Sequence, residues 1–502
     1  MLRPLYRFAH RRRHPLAAAL LIWVLWSVLA REDAPSFWVL NWGLESGETS
    51  PGFIGVAIDA AMLTGGEWWA GEGPPRPVNL ADDELLRWAR LLQPAWVRLG
   101  GTEADRLWWR LDDEPDEDPS LSRADIIQFL AFVDNLNARP MLTVSTGPRV
   151  RDDDGDWQPE QLERLLDWLP SDYNGILEFG NEPGAHWLMF GPTHQIGFDQ
   201  YSREFVKARG YSGTIPLAGP ANAFWPEVGE PLSTLVGSSR EFLESGANPA
   251  IFTWHYYPTQ SRRCTVRTEG AGWESLLDVE AVTEFAKQSR KVRAWVDRYS
   301  PETQLWLGET GPAQCGGVDQ LTNRFGASLW WLTQLGLAAR TGQETVIRQS
   351  LMGGDYALLA YRNHYSPNPD YWAQLLWQRL MGPRWLAVTG ADGPVQAFAH
   401  CTPDASGALT LLTVNLSDKP MNIRLPLGTD AVSVLTVTST ALDSRLVQVN
   451  GQLPETLDWS ANAPLPWQPL AADSEQPPHS YRFSRIDQHT YCAATPMPPG
   501  LR

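Results

Sequence analysis

Two glutamates come at the ends of apolar runs that have the composition of buried β-strands. Residues 176–184 read ILEFGNEPG, with Glu182 directly after Asn181, and residues 304–310 read QLWLGET, with Glu309 near the end. A single glutamate in such a place is most often a solvated residue. Two of them can hydrolyse a glycosidic bond, because one carboxyl group protonates the leaving oxygen while the other attacks the anomeric carbon or activates water.

Eight apolar runs predict the strands that position these glutamates. The runs cover residues 53–60, 95–101, 140–146, 176–182, 215–220, 251–257, 304–310 and 345–352. The stretches between them have helical spacing, and alternation of strand and helix predicts a parallel sheet. Eight repeats favour an α/β fold of the (β/α)₈ barrel type over an open doubly wound sheet, and no G-x-G-x-x-G motif follows the first run. The fourth, sixth and seventh runs end in polar residues, where a barrel of this kind carries its catalytic groups.

Composition divides the rest of the chain into further segments. Residues 1–31 combine an arginine-rich head with an uncharged run, which predicts an export signal or an N-terminal membrane anchor and work outside the cytoplasm. The barrel is predicted at residues 51–384. Residues 32–50 are expected to add a strand to an antiparallel β-sandwich at residues 385–494, where short β-rich runs are divided by turns. Residues 495–502 form a tail.

The composition also restricts partners and ligands. A formal net charge of −17 argues against nucleic acid or another polyanion, and the 25 Trp suit stacking on the apolar faces of sugar rings. The cysteines are Cys264, Cys315, Cys401 and Cys492, an even number without the spacing of a zinc site. They predict two disulfides rather than a structural metal, with free buried thiols as the alternative. No cofactor is expected.

Several motifs resemble those of glycoside hydrolase family 79, the heparanase and β-glucuronidase family. They are ILEFGNEPG, QLWLGET, WVRLGGTEAD, VAIDAAML and TWHYYP, and the resemblance is most specific over residues 305–380. It implies a (β/α)₈ barrel with an appended β-sandwich. It also implies a retaining mechanism in which Glu182 is the acid/base and Glu309 the nucleophile, so Glu182 must carry a proton while Glu309 stays ionised. Glu178 is interpreted as a buried partner of Arg98 instead of a catalytic group.

The resemblance implies binding roles for further residues. Those expected to contact the substrate or the nucleophile are Asp59, Thr102, Asn181, His255 and Tyr257. Asn181 would bond the 2-hydroxyl of the sugar, whereas Asp59 has a turn role, and His255 and Tyr257 a core role, as alternatives. A uronate carboxylate would be bound by Tyr356 and by the backbone N–H groups of Cys315 and Gly316.

The cysteines and two loops refine this interpretation. The resemblance implies a Cys401–Cys492 disulfide, and a Cys264–Cys315 disulfide is inferred because the loops after the sixth and seventh strands are neighbours. The stretch GPANAFWPEVGE lacks the basic residues that heparanase uses for sulfated substrate. The acidic loop RLDDEPDEDPSLSR is short where heparanase carries an excised linker, so a single unprocessed chain is expected.

The leading hypothesis is an exported retaining β-glucuronidase that acts on glucuronides or a uronate-bearing glycan. One alternative keeps the mechanism but takes a neutral β-glycoside. Another is a catalytically silent glycan-binding relative, which the presence of both glutamates disfavours.

Overall fold

The computed structural model describes residues 37–65, 77–111, 114, 119–231, 233–361, 364–404, 406–426, 432–460, 463–470 and 473–493. The segment predicted as an export signal or anchor (1–31) and the predicted tail (495–502) lie outside these residues. Within the described part of the chain, no helix is both long and apolar enough to cross a bilayer.

Eight parallel strands close into a barrel, so the predicted fold class is confirmed. From the first to the eighth they are Ile54–Asp59, Trp96–Gly100, Arg139–Val144, Ile176–Phe179, Leu217–Phe224, Ile251–Tyr256, Gln304–Thr310 and Thr345–Arg348. Each strand pairs with the next along the chain, and the eighth pairs with the first. Every predicted apolar run overlaps one of these strands.

The interior of the barrel is layered because alternate residues of each strand point inward. The lowest layer is apolar and consists of Ala57, Trp96, Met141, Ile176, Ala218, Ile251, Trp306 and Ile347. Two residues further along their strands, Arg98 and Glu178 form a charged layer with no exposure to solvent. The strands therefore end, at the C-terminal face of the barrel, on top of a buried charged layer.

Helices cover the outside of the barrel. The longer ones are Asp83–Leu92, Arg123–Asn135, Glu160–Trp168, Phe198–Ser212, Val279–Tyr299, Phe325–Arg340 and Pro369–Leu380. Shorter helices are Ala61–Thr64, His186–Met189, Ser233–Val236, Ser239–Glu244 and Trp273–Leu277, whereas Thr490–Ala493 contacts the β-sandwich. Local sequence fixes several starts: Asp82 accepts the N–H groups of Glu84 and Leu85, and Ser122 forms a capping box with Asp125.

Two sheets form the β-sandwich beside the barrel. The larger contains Asn41–Glu48, Arg384–Thr389, Val395–Cys401, Leu409–Asn415, Ser480–Ile486, Val432–Thr438 and Gln448–Val449 in spatial order, with Gln468–Leu470 also paired to Val432–Thr438. The smaller contains Phe37–Val39, Met421–Arg424 and Asp473–Gln476. Apolar side chains such as Leu40, Val395 and Ile423 pack together between them. The cysteines form the predicted pairs Cys401–Cys492 and Cys264–Cys315.

Candidate active site

A cavity of about 300 Å³ opens at the C-terminal ends of the barrel strands. Most of the residues predicted for the site line this cavity: Asp59, Thr102, Asn181, Glu182, Tyr257, Glu309, Cys315 and Tyr356. The two that do not line it are His255, which is buried behind the wall, and Gly316, which follows the lining residue Cys315. The topology thus brings residues from six different strand ends to one place.

Glu309 faces the cavity because the seventh strand has an irregularity at Gly308. Trp254 pairs with Leu307, but the next residue, His255, pairs with Glu309, so Gly308 is left without a partner on the sixth strand. Trp306 points into the barrel. Without this β-bulge, the regular alternation would place Gly308 on the inner face of the strand and turn the Glu309 side chain outward. The bulge reverses the alternation and presents the carboxylate to the cavity.

Two donors contact the Glu309 carboxylate. Arg98 Nη1 donates to Oε2 at 2.7 Å, and the Tyr257 hydroxyl donates to Oε1 at 2.6 Å. Burial alone would raise the pKa of Glu309, but the electrostatic effect of His255 and Arg98 and the hydrogen bonds from Tyr257 and Arg98 outweigh it and hold the pKa below its ordinary value. Glu309 is 7% exposed and is held as an anion.

Arg98 organises the charged layer below the cavity. Its Nε donates to Glu178 Oε2 at 2.7 Å, and its Nη2 donates to Asn181 Oδ1 at 2.9 Å. The predicted Arg98–Glu178 pair is therefore confirmed, whereas the contacts of Arg98 with Glu309 and Asn181 were not predicted. With its side-chain oxygen engaged by Arg98, Asn181 keeps its amide NH₂ for a ligand.

Glu182 comes at the end of the fourth strand with a left-handed backbone conformation, φ 51°. Its Oε1 lies 3.0 Å from His255 Nδ1, and Gln314 Nε2 donates to both carboxylate oxygens at 3.4 Å. Trp225 Nε1 in turn donates to Gln314 Oε1 at 2.9 Å. Glu182 is thus held by groups from the ends of the fifth, sixth and seventh strands.

The two glutamates lie close enough to act on one bond. A carboxylate oxygen of Glu182 and one of Glu309 are within 4.8 Å of each other, with a His255 ring nitrogen within the same distance. Retaining glycosidases place their carboxyl groups about 5–5.5 Å apart, and inverting ones about 6.5–9.5 Å. The three side chains are also near enough to share a cation, but Arg98 and Tyr257 already bond both oxygens of Glu309, which argues against a metal centre.

Asp59 lines the cavity from the end of the first strand. Its Oδ1 accepts the N–H of Ala61 at 3.0 Å, so it also has the turn role that was considered for it. Burial, with a contribution from the negative charge of Glu309, raises the pKa of Asp59 to about 7. Gly101 leaves room for this carboxyl group: its φ is 85°, and a Cβ there would lie 2.2 Å from Asp59 Oδ2.

The loops after the sixth and seventh strands are tied together beside the cavity. Besides the Cys264–Cys315 disulfide, Arg263 Nη1 donates to the carbonyl of Gly317 at 2.9 Å. Cys315, Gly316 and Gly317 all have positive φ, of 60°, 79° and 75°. Consecutive residues of this kind form a tight turn in which backbone N–H groups can converge on an anion.

Tyr356 joins this group from the loop after the eighth strand. Its ring centroid lies 6.5 Å from that of Tyr257, and its carbonyl accepts a hydrogen bond from Arg348 at 2.8 Å. Arg348 is itself paired with the buried Asp370. Burial raises the pKa of Tyr356 well above its ordinary value, so its hydroxyl stays protonated and remains a donor.

Sequence reasoning missed several residues of the wall. They are Gly101, Gly184, Ala185, Trp187, Leu188, Met189, Asn222, Ala223, Trp225, Val228, Pro231, Thr265, Val266, Gln314 and Gln349. Position near the end of a predicted strand was an available signal for both Asn222, which follows the run at residues 215–220, and Gln349, which lies within the run at residues 345–352. Ala223 lies on the fifth strand, and a short helix carries Trp187, Leu188 and Met189. Most of the others come from loops, whose course an apolar run does not specify.

One buried acid beside the cavity gives a prediction about stability. Glu230 accepts hydrogen bonds from Asn222 Nδ2 and from the backbone N–H of Ser239 at 2.8 Å. Burial raises the pKa of Glu230 to about 7 despite these bonds. An acid with a raised pKa stabilises the fold fully below its unfolded pKa of about 4.5, and this stabilisation is lost as pH rises through the folded value.

We therefore expect Glu230→Gln to reduce the fall in the free energy of unfolding between pH 4.5 and 7.5 by about 3 kcal/mol. Denaturant titrations at several pH values measure this fall. Glu227→Gln is the matched control, because Glu227 belongs to the same loop and is exposed. An unchanged slope in Glu230→Gln would show that Glu230 does not titrate in the folded state.

The amino-acid sequence is similar to those of one group of known enzymes. Residues 268–336 match the N-terminal domain of glycosyl hydrolase family 79. The chain is 28% identical to heparanase of Mus musculus, over 86% of this chain and 90% of that protein. It is 29% identical to baicalin-beta-D-glucuronidase of Scutellaria baicalensis, over 81% of this chain and 83% of that protein.

The fold is also shared with solved glycosidase structures. A 4-O-alpha-L-rhamnosyl-beta-D-glucuronidase from Fusarium oxysporum superposes with a TM-score of 0.65 at 15% identity, covering 89% of this chain and 99% of that one. At this level of identity the similarity concerns the architecture, a barrel with an attached β-sandwich.

Proposed function

Because the chain is a heparanase-like glycosidase of glycoside hydrolase family 79, we propose that it is a retaining β-glucuronidase that cleaves glucuronides or a uronate-bearing glycan. The observation that carries the proposal is the pair Glu182 and Glu309, whose carboxylate oxygens come within 4.8 Å inside one cavity. Their surroundings differ in the sense that the reaction requires. Glu309 is kept ionised by Arg98 and Tyr257, whereas Glu182 has a histidine and an amide as neighbours.

In the first step, Glu182 donates its proton to the glycosidic oxygen while Glu309 attacks the anomeric carbon. The bond to the leaving group breaks, and a covalent glucuronyl ester forms on Glu309. Arg98 and Tyr257 hold the attacking carboxylate in place. The free amide of Asn181 bonds the 2-hydroxyl of the sugar, a contact that strengthens as the ring becomes oxocarbenium-like.

In the second step, Glu182, now a carboxylate, removes a proton from the incoming water. The water attacks the anomeric carbon and releases Glu309, so two inversions give net retention. His255 contacts Glu182 in both steps and keeps its carboxyl group oriented. Because Glu182 is regenerated as an acid, the site is ready for another cycle without any cofactor.

The uronate carboxylate is bound on the side of Tyr356. Its protonated hydroxyl is one donor, and the turn at Cys315 and Gly316 supplies backbone N–H groups. The Cys264–Cys315 disulfide and Arg263 fix this turn before substrate arrives. Less conformational entropy is then lost when the carboxylate binds.

The same disulfides support a compartment for the protein. Disulfides persist in oxidising environments and are rare in the cytosol. Two of them, one beside the cavity and one in the β-sandwich, support a site of action outside the cytosol.

The proposal is tested by comparing hydrolysis of aryl β-glucuronide with that of the matching β-glucoside, β-galactoside and β-xyloside. We expect the glucuronide to have the highest kcat/KM, because its carboxylate alone can use Tyr356 and the Cys315 turn. A higher kcat/KM on one of the neutral sugars would contradict the proposed β-glucuronidase activity and favour a β-glycosidase for a neutral sugar. Absence of hydrolysis of all four would favour a silent glycan-binding relative.

Tyr356→Phe should lower kcat/KM on the aryl glucuronide while leaving activity on the glucoside nearly unchanged. A hydrogen bond to a charged group is worth about 1.5–3 kcal/mol, which is roughly a tenfold to hundredfold loss. Tyr211→Phe is the control, since this tyrosine is exposed on an outer helix. Equal losses on both sugars would mean that Tyr356 does not bind the carboxylate.

A further inference from the structure

The cavity has two chemically different halves. The half at the ends of the eighth, first and second strands presents polar side chains, among them Asp59, Thr102, Gln349 and Tyr356. The half formed by the loops after the fourth, fifth and sixth strands is mainly apolar. Its apolar side chains are Ala185, Trp187, Leu188, Met189, Trp225, Val228, Pro231 and Val266.

The apolar half lies on the side of Glu182. Trp187, Leu188 and Met189 belong to the short helix that begins four residues after Glu182, and Trp225 is linked to Glu182 through Gln314. Under the proposed function, the group that Glu182 protonates is the leaving group. The apolar half is therefore where the leaving group binds.

The side-chain amides in and beside this half are already engaged. Gln314 bonds Trp225 and Glu182, and Asn222 bonds Glu230. Sugar hydroxyl groups that entered here would lose water and find few partners, which is unfavourable. Among the cavity-lining residues within the described part of the chain, none is lysine or arginine. A sulfated sugar would therefore lack the cations that it needs.

We infer that the leaving-group side of the site takes an apolar aromatic aglycone, so that the preferred substrates are aryl glucuronides and not sulfated glycans. This inference rests on the proposed function and specifies its substrate class. The rings of Trp187 and Trp225 provide flat surfaces for an aromatic group. Val228 and Val266, which are 53% and 40% exposed, are covered when the group binds.

The test compares phenyl β-D-glucuronide with 2-naphthyl β-D-glucuronide, whose leaving phenols have similar acidity. The expected result is a kcat/KM about tenfold higher for the naphthyl compound, since one more fused ring is buried on apolar surface. A sulfated oligosaccharide with an internal glucuronate is the third substrate and should be cleaved least well.

Val228→Arg should remove most of the naphthyl advantage, because it places a charge where the second ring binds. Leu235→Arg is the matched control: Leu235 is 69% exposed and follows the same strand but does not line the cavity. It should keep the advantage. Val266→Arg provides a second variant in case Val228→Arg is poorly folded, and melting curves of all three variants decide which are compared.

The outcomes separate the inference from the proposed function. Equal kcat/KM for the two aryl glucuronides, or a higher kcat/KM for the sulfated oligosaccharide, would overturn the inference. The proposed β-glucuronidase function would still stand. A naphthyl advantage that survives in folded Val228→Arg and Val266→Arg would also overturn it. If no β-glucuronide is cleaved at all, the proposed function itself is wrong.

Discussion

Glu309→Gln should abolish hydrolysis of every glycoside that the enzyme cleaves, including those with activated leaving groups. Under the proposed mechanism this carboxylate forms the covalent intermediate, and a glutamine amide in its place is a poor nucleophile. We expect kcat to fall on the order of 10⁵-fold or more, the scale seen when a hydrolase loses its nucleophile. The fold should be retained, because the glutamine oxygen still accepts a hydrogen bond from Arg98 or Tyr257.

Steady-state kinetics with an aryl glucuronide measures this loss, and circular dichroism checks the fold. Glu309→Ala extends the test, because azide can enter the space left by the carboxylate. Direct attack by azide involves a single inversion, so the product expected is the α-glucuronyl azide. Substantial residual activity of Glu309→Gln on an unactivated glucuronide would exclude Glu309 as the nucleophile.

Glu182→Gln should give a loss that depends on the leaving group. Without a proton donor, glucuronides of weakly acidic alcohols and phenols should lose about 10²–10⁴-fold in kcat/KM, the usual contribution of a general acid. The dinitrophenolate of a dinitrophenyl glucuronide leaves without protonation, so the first step with this substrate should be nearly unaffected. Its covalent intermediate should then accumulate, because no base remains to activate water.

A pre-steady-state burst of dinitrophenol measures this accumulation. With Glu182→Ala, azide should restore turnover and yield the β-glucuronyl azide, the opposite anomer from the Glu309 variant. His255→Asn provides a comparison at the residue that contacts Glu182 and should have a milder effect on all substrates. An equal loss on the two classes of leaving group would show that Glu182 is not the acid.

The barrel could be predicted because its strands are buried on both faces. Continuous apolar runs such as residues 53–60 and 176–182 are the sequence signature of such strands, and all eight were found. The same reasoning placed the ends of the fourth and seventh strands at one mouth. The Cys264–Cys315 disulfide followed from this order, since loops after neighbouring strands are adjacent.

Other features depend on register and loop geometry, which an apolar run does not specify. The bulge at Gly308 determines which way Glu309 points, but a glycine within a strand does not by itself identify a bulge. Arg98 was expected to pair with Glu178, and no contact with Glu309 was predicted. Its second contact, with Glu309, exists only because the bulge turns Glu309 inward above the charged layer. Likewise, the contact of Gln314 with Glu182 could not be predicted, because Gln314 lies in a loop whose conformation depends on the disulfide at the next residue, Cys315.

The most direct test of a retaining β-glucuronidase with Glu309 as its nucleophile is mass spectrometry after incubation with 2-deoxy-2-fluoro-β-glucuronyl fluoride. The electronegative fluorine at C2 slows both steps, while the fluoride leaving group allows the first, so the covalent intermediate is trapped. We expect the intact protein to gain the mass of one fluoroglucuronyl group and peptide sequencing to place it on Glu309. Labelling of another residue, or an unlabelled protein that still hydrolyses aryl glucuronides, would contradict the proposed mechanism.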